Sequence, residues 1–549
     1  MNDDTLYSNL RPPATATGSS TAKSGRSVSV ATTLVVSKTP LLPPQRSYST
    51  DSVVADRKRR RKSRAVSSRS RLLLLPSFAE TWRVEQNILM ADEERGTHEG
   101  GQQHATAGWI HATGIIVGEI LGSGILGLPG AYSKLGYVLG TFCVFLFCFF
   151  AIYSGSILAR VRNEFYPGVE RYADAAGFTS GPIFSSFTRW AVHINWLFLL
   201  PYYLMTIAHS LQLGLSSFTT LCFYQYTFIA AGVLLIFLQF RTLTGLAYAA
   251  MLSDVAIIVA ISMILWSIAS NNGGADPGNS NITLTMSSAT SLVSTSPSSS
   301  FIPNNVTNSN PWWPSEGTFL QVYGRTSSIV FAFQGQSIYY EIMREMKDSR
   351  DFGKAVTIAN SMMGSVYLVT CLIVTYFSYT FMHEVPEFLP NSISVHETLT
   401  RTVVGLLLSY HVTISYILNN QPLSNAIHAM VSPDSLLDYD TYHGRMIWFC
   451  ITTTLLIFSV LVANTIPYFS TFQSLVGSLM GAPLMFGWPA FFYWRASWNQ
   501  DGAMHRLDVV LCLVFLFIFL PLCTILGTIS AVQDLLNDWS TSGLPFQCV

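Results

Sequence analysis

Charge is scarce in this chain: 11% of its 549 residues are Asp, Glu, Lys or Arg, against 50% hydrophobic. Cysteine is sparse as well. The eight cysteines form no CxxC pair and have no histidine at zinc spacing, so neither a metal nor a redox centre is indicated. A Walker A sequence is missing, which argues against an ATP-driven machine within this chain. No nucleophile–base pair or cofactor motif stands out, so we expect no enzyme, no catalytic residue and no cofactor. The one nucleotide-like string is Gly122-Ser123-Gly124-Ile125-Leu126-Gly127, which fits G-x-G-x-x-G. That fingerprint needs a preceding strand and a helix opening at the glycines. Here the flanks run apolar from Trp109 to Leu139 and Pro129 follows at once, so the dinucleotide reading is set aside.

What is present is a polar basic tail and a long apolar body. Residues 1–105 hold 16 of the 31 Lys and Arg and are rich in Ser, Thr and Pro, a composition that reads as disordered. Arg57 to Arg64, RKRRRKSR, reads as a cytosolic segment meeting anionic lipid rather than nucleic acid. Met90, followed by ADEERG, is an alternative start to Met1. No secretory leader is seen, so the first helix is expected to direct insertion.

From residue 106 to 531, runs of about 20 apolar residues recur, each long enough to span a bilayer as a helix. We place eleven spans near 108–131, 135–160, 187–212, 219–240, 243–268, 319–342, 357–382, 398–420, 445–467, 469–494 and 507–531. With a cytosolic N-terminus, twelve basic residues, from Arg160 to Arg506, fall inside and only Lys134, Arg325 and Arg401 outside, as the positive-inside rule demands. The Ser/Thr/Asn-rich loop 269–317 then lies outside, and it carries two glycosylation sequons, at Asn281 and Asn305. Residues 532–549 read as a short extracytosolic tail.

Two spans are interrupted. In the first, the glycines and Pro129 weaken the helix, and the proline removes the N–H that would pair with Ile125. Small residues at helical spacing also suit close helix packing, a reading that stays open here. In the sixth, Gln334-Gly335-Gln336 falls near the middle. The two occupy corresponding places in two groups of five, and paired interruptions in an inverted repeat point to a binding site between the halves. Ionisable groups within spans are few: Glu119, Asp254, His193, His209, His411 and Arg325. The carboxyls are the coupling candidates, the histidines read as structural, and Arg325 at its outer end reads as snorkelling.

These residues resemble the amino acid/auxin permease family, part of the amino acid–polyamine–organocation transporters. The likeness covers about 108–530. GSGILGLPGAYSKLG is similar to the first-helix pattern, and FAFQGQSIYYEIMREMKDSRDFGKA to the sixth-helix signature, with Glu341 at the acidic position. HVTISYILNNQPL, from His411, is similar to the eighth helix, and the stretch from Asn464 to Trp494 to the ninth and tenth. Gln336 stands where many members have His, and Ile115 where several have a first-helix histidine. The resemblance implies an all-α membrane protein of eleven transmembrane helices, a five-plus-five inverted repeat with helices 1 and 6 broken, plus an eleventh helix. It implies secondary transport of an amino acid. Backbone around Gly122, Ser123, Gly124, Ile125 and Leu126 would hold the substrate carboxylate, and carbonyls around Phe331, Phe333, Gln334 and Gly335 its ammonium. The coupling ion is a proton on Glu119 or Asp254, or sodium held with Thr413 or Ser415. A nutrient sensor signalling through the tail is the other class. The protein is expected to be multi-pass, in the plasma membrane or a vacuolar or lysosomal one.

Overall fold

The computed structural model describes residues 108–122, 124–239, 247–272, 312–314, 319–381, 385–432, 441–466, 468–500 and 504–542. Ser123, Asn281, Asn305, Met90 and the basic run Arg57–Arg64 lie outside the described residues, as do most of the 269–317 loop and the whole 1–105 tail.

The described residues are helical, without a strand among them. Apolar runs force this choice, because a backbone removed from water must bond within its own segment. Polar residues in those runs are satisfied the same way. Thr113, Ser156, Thr206 and Ser409 each donate to the carbonyl four residues back.

We number the helices α1 (Trp109–Ile120), α2 (Gly124–Arg160), α3 (Tyr172–Ser180), α4 (Pro182–Leu215), α5 (Phe223–Phe237), α6 (Ala247–Asn272), α7 (Phe319–Ala332), α8 (Tyr339–Glu345), α9 (Phe352–Phe381), α10 (Thr398–Val431), α11 (Tyr442–Thr465), α12 (Phe469–Asn499) and α13 (Arg506–Trp539). Eight are long and apolar enough to cross a membrane: α2, α4, α6 and α9 to α13, by the lengths at which composition supports a span. α1 and α5 are shorter apolar helices. The fold is thus an all-helical membrane protein.

α2 is two helices in one run. Gly136 sits at φ 76, ψ 167, a left-handed turn that a side chain would strain, and the chain reverses there. The reversal brings the Tyr132 hydroxyl to 2.7 Å from that of Thr141, nine residues on, which a straight helix would hold far apart. α4 and α10 form the most extensive helix pair. Gly214 and Gly405 meet backbone to backbone at their crossing; a Cβ on Gly405 would lie 2.6 Å from the Gly214 Cα.

Two boundaries differ from the sequence expectation. The first break falls after Ile120 and the helix resumes at Gly124, with Pro129 inside the resumed helix. α2 restarts at Gly124, so the proline removes only one bond from a helix already under way. The last helix continues past 531 to Trp539. Its added turns are tied down: Asp538 accepts from Thr471 at 2.8 Å, and its backbone carbonyl accepts from the Tyr468 hydroxyl at 3.0 Å. Arg325 pairs with Asp534 at 3.5 Å, both side chains under one-fifth exposed.

Candidate functional site

The two breaks face each other deep in the bundle. α1 stops at Ile120 and α7 at Ala332, and a Cβ on Gly335 would strike Ile120 Cδ1. Beside them is a cavity lined by Glu119, Asn195, Trp196, Leu199, Tyr203, Gln334, Gly335, Gln336, Ser337, Ile338, Asn419 and Leu484. α1, α4, the sixth-span break, α10 and α12 all contribute. The apolar wall is Trp196, Leu199, Ile338 and Leu484; the rest is polar.

Acceptors dominate the polar wall. Asn195 Oδ1 and Gln334 Oε1 are buried and unbonded. Asn419 Nδ2 lies 3.0 Å from the Ser415 carbonyl, 3.4 Å from Glu119 Oε1 and 3.5 Å from the Tyr203 hydroxyl. The first of these is a firm bond and the others are long. An enclosed site rich in unbonded acceptors suits a bound group that brings hydrogens and positive charge, such as an ammonium.

The sixth-span break is stitched by its own side chain. Gln336 is fully buried; its Nε2 donates to the Phe333 carbonyl at 3.2 Å and its Oε1 accepts from the Gly335 N–H at 3.0 Å. The Val330 and Phe331 carbonyls accept from the Phe333 and Gln334 N–H groups. So the Phe331, Phe333 and Gly335 carbonyls each already hold one bond, and Gln334 Oε1 is a side-chain acceptor left without one.

Of the substrate residues expected from the sequence, Gln334 and Gly335 line the cavity, as does Glu119 from the coupling set. Of the others, Ser123 lies outside the described residues and the rest are not among the lining residues. Gly122 faces His411, whose Nε2 would lie 2.9 Å from a Cβ there. Gly124 crosses Ala332, whose Cα would be 2.9 Å from its Cβ, and its carbonyl accepts from Gln473 at 3.1 Å. Ile125 and Leu126 are fully buried. Phe331 packs edge-on to Tyr202 with centroids 4.7 Å apart, and Phe333 to Tyr367 at 5.2 Å.

Asp254, on α6, packs its carboxyl on Gly118, next to Glu119, so the two coupling carboxyls are neighbours across the helix crossing. Thr413 and Ser415 are two residues apart on α10 and point about 200° apart, and the Ser415 hydroxyl is turned back on the His411 carbonyl at 3.2 Å. The pair therefore does not converge. His411 is held as a structural histidine would be, its Nδ1 2.8 Å from the Ser253 hydroxyl and 3.0 Å from the Ser253 carbonyl. Its Nε2 is buried and unbonded. Glu341, the acidic position of the sixth-helix motif, lies in α8 beyond the cavity with Oε2 buried and unbonded. No cluster of metal-binding side chains occurs among the described residues.

The sequence pattern did not single out Asn195, Tyr203 or Asn419. The available signal was their polarity inside apolar runs, the same signal that marked the charged residues, and weaker because an amide is cheaper to bury than a charge.

An all-helical membrane protein with two helices interrupted against one polar cavity belongs to the class of transport proteins rather than enzymes. The chain matches the family described as "Transmembrane amino acid transporter protein" over residues 105–533, and it belongs to that family. It is 24% identical over 475 residues to the N amino acid transport system protein of Neurospora crassa, covering 83% of this chain and 91% of that protein. It is 24% identical over 227 residues to a vesicular inhibitory amino acid transporter of Xenopus laevis, covering 39% and 40%. A solved Na+-coupled sialic acid symporter aligns with a TM-score of 0.42 and 13% identity, over 85% of this chain and 99% of that one.

Proposed function

We propose that this protein is a secondary active transporter that moves a neutral amino acid across a membrane by alternating access, driven by protons. The observation that carries the reading is the cavity between the two breaks, where Glu119 sits one residue before one half-helix end and Gln334 two residues after the other. The substrate ammonium meets Gln334 and Asn195. Its carboxylate meets the N–H groups at the start of α2, where the helix dipole favours negative charge.

Glu119 couples the two movements. A charged carboxylate beside the site repels the substrate's own carboxylate, and protonation removes that repulsion, so proton and substrate promote each other's binding. Asp254 is the second carboxyl on the path.

The eleven-span, five-plus-five architecture gives these parts their sides, with the N-terminus cytosolic. Ion pairs among the described residues join groups that this topology puts on one side: Lys134 to Glu387 and Arg325 to Asp534 outside, Arg160 to Asp508, Arg344 to Glu170 and Lys354 to Asp351 inside. Cys222, at the outer end of α5, is disulfide-bonded, whereas Cys143, Cys148, Cys371, Cys450, Cys512 and Cys523 are free. A disulfide suits the oxidising side. Asn281 and Asn305 then carry glycans on that same side.

The test is uptake by purified protein in liposomes across a panel of amino acids, with a pH gradient, a sodium gradient or neither. The pH gradient should drive accumulation. Glu119→Gln should still bind and exchange substrate yet fail to concentrate it. Full response of Glu119→Gln to the pH gradient moves the coupling role to Asp254, and response of the unmodified protein to sodium alone ends the proton reading.

A further inference from the structure

A helix leaves its last four carbonyls without intrahelical partners, and its C-terminal end carries partial negative charge. Here two such ends are brought together inside the bundle, that of α1 at Ile120 and that of α7 at Ala332. Their like partial charges repel one another.

One side chain serves both. Tyr367, on α9 and fully buried, directs its hydroxyl at the Ile120 carbonyl at 3.1 Å and at the Ala332 carbonyl at 3.0 Å. A phenol has a single hydrogen to donate, so the two carbonyls share it. The ring is held edge-on to Phe333, and α9 packs along both α1 and α2. Neither break motif contains Tyr367, and its hydroxyl does not face the cavity.

We propose that Tyr367 is a positioning residue: its hydroxyl pins the ends of the two half-helices together and so sets the spacing between Glu119 and Gln334 across the substrate cavity. Glu119 is the residue before one pinned carbonyl and Gln334 is two residues after the other. Any drift of the two ends apart moves these two lining residues away from one another and loosens the cavity around the substrate. The pin rests on the proposed transport reading for its effect on substrate, but not for its effect on the backbone.

Tyr367→Phe removes the hydroxyl and keeps the ring. Loss of preorganisation should raise the KM for uptake about tenfold or more, with Vmax within about twofold of the unmodified protein. Hydrogen exchange of backbone amides should quicken together in 118–124 and 331–337, since freeing one carbonyl pair frees both ends. A merely structural role predicts less folded protein and a lower thermal midpoint, with KM unchanged in what survives. An unchanged KM with unchanged exchange overturns the pin, and so does faster exchange in one segment only. If the unmodified protein transports no amino acid, the transport reading fails and the exchange data alone decide the pin. If Tyr367→Phe does not accumulate, the unmodified protein supplies the measurement: the two segments should open with protection factors within about threefold of each other, and a difference beyond about tenfold overturns the proposal.

Discussion

The two interrupted helices solve one problem in opposite ways. At the first break the chain is bare: Gly122 and Gly124 leave room for His411 and for the Ala332 backbone, and partners from other helices do the bonding, Gln473 to the Gly124 carbonyl and Tyr367 to that of Ile120. At the second break the chain repairs itself, with Gln336 bonding both sides of the gap. The first therefore leans on tertiary neighbours, and the second adds a local stitch to the bond it borrows from Tyr367 on the Ala332 carbonyl. A backbone opened in a membrane must be satisfied from somewhere, and whichever break borrows its partners is the one that movement of those partners can alter.

The contrast is sharpest at Gly124. A side chain there meets the backbone of Ala332, which has no flexible end to move aside, so Gly124→Val should abolish uptake. It should also destabilise the fold by about 1–3 kcal/mol through overpacking. Uptake and thermal midpoint measured on one preparation check this. Lost uptake with an unchanged midpoint would instead assign the glycine to the substrate.

The self-repair of the second break is tested by Gln336→Ala, which leaves the Gly335 N–H and the Phe333 carbonyl without their bonds. Each buried orphan costs about 1–3 kcal/mol, so transport should fall about tenfold or more while the amount in the membrane drops less. Gln336→His, the residue common at this place in the resembled family, should lose less than the alanine variant in the same uptake assay. Equal losses would mean that the stitch contributes little.

The smallest effect belongs to an exposed ion pair. Lys134 and Glu387 pair at 2.9 Å with side chains 38% and 48% exposed, a geometry that contributes about 0–1 kcal/mol. Burial alone would raise the Glu387 carboxyl, but the Lys134 ammonium outweighs it, helped by Arg325 and Ser470, and holds it below the usual value of 4.5. A depressed carboxyl adds stability that is present above its unfolded pKa and lost as pH falls through the folded one. The thermal midpoint of Glu387→Gln should thus lie slightly under that of the unmodified protein at pH 7, and the gap should close below about pH 4.5. A gap that persists in acid would show that the pair is not its source.

Sequence alone determined much of this protein. Apolar length fixed helices, because lipid leaves the backbone no other spanning choice. Gly122, Gly124 and Gln334-Gly335-Gln336 marked where two of them open, because glycine and interior polar groups weaken a helix locally. Glu119, which lines the cavity, stood out in the sequence because a carboxyl in an apolar run is costly wherever its partners are. Tertiary structure alone decided the rest. Asn195, Tyr203 and Asn419 reach the cavity, and Tyr367 reaches both helix ends, from spans far apart in the chain. A helix apolar on every side carries no periodic signal of which face meets which neighbour. For the same reason the glycines of the first break proved to be crossing points against Ala332 and His411, and Arg325 found Asp534 on the last helix. Local chemistry says that a group needs a partner, and only packing says which one arrives.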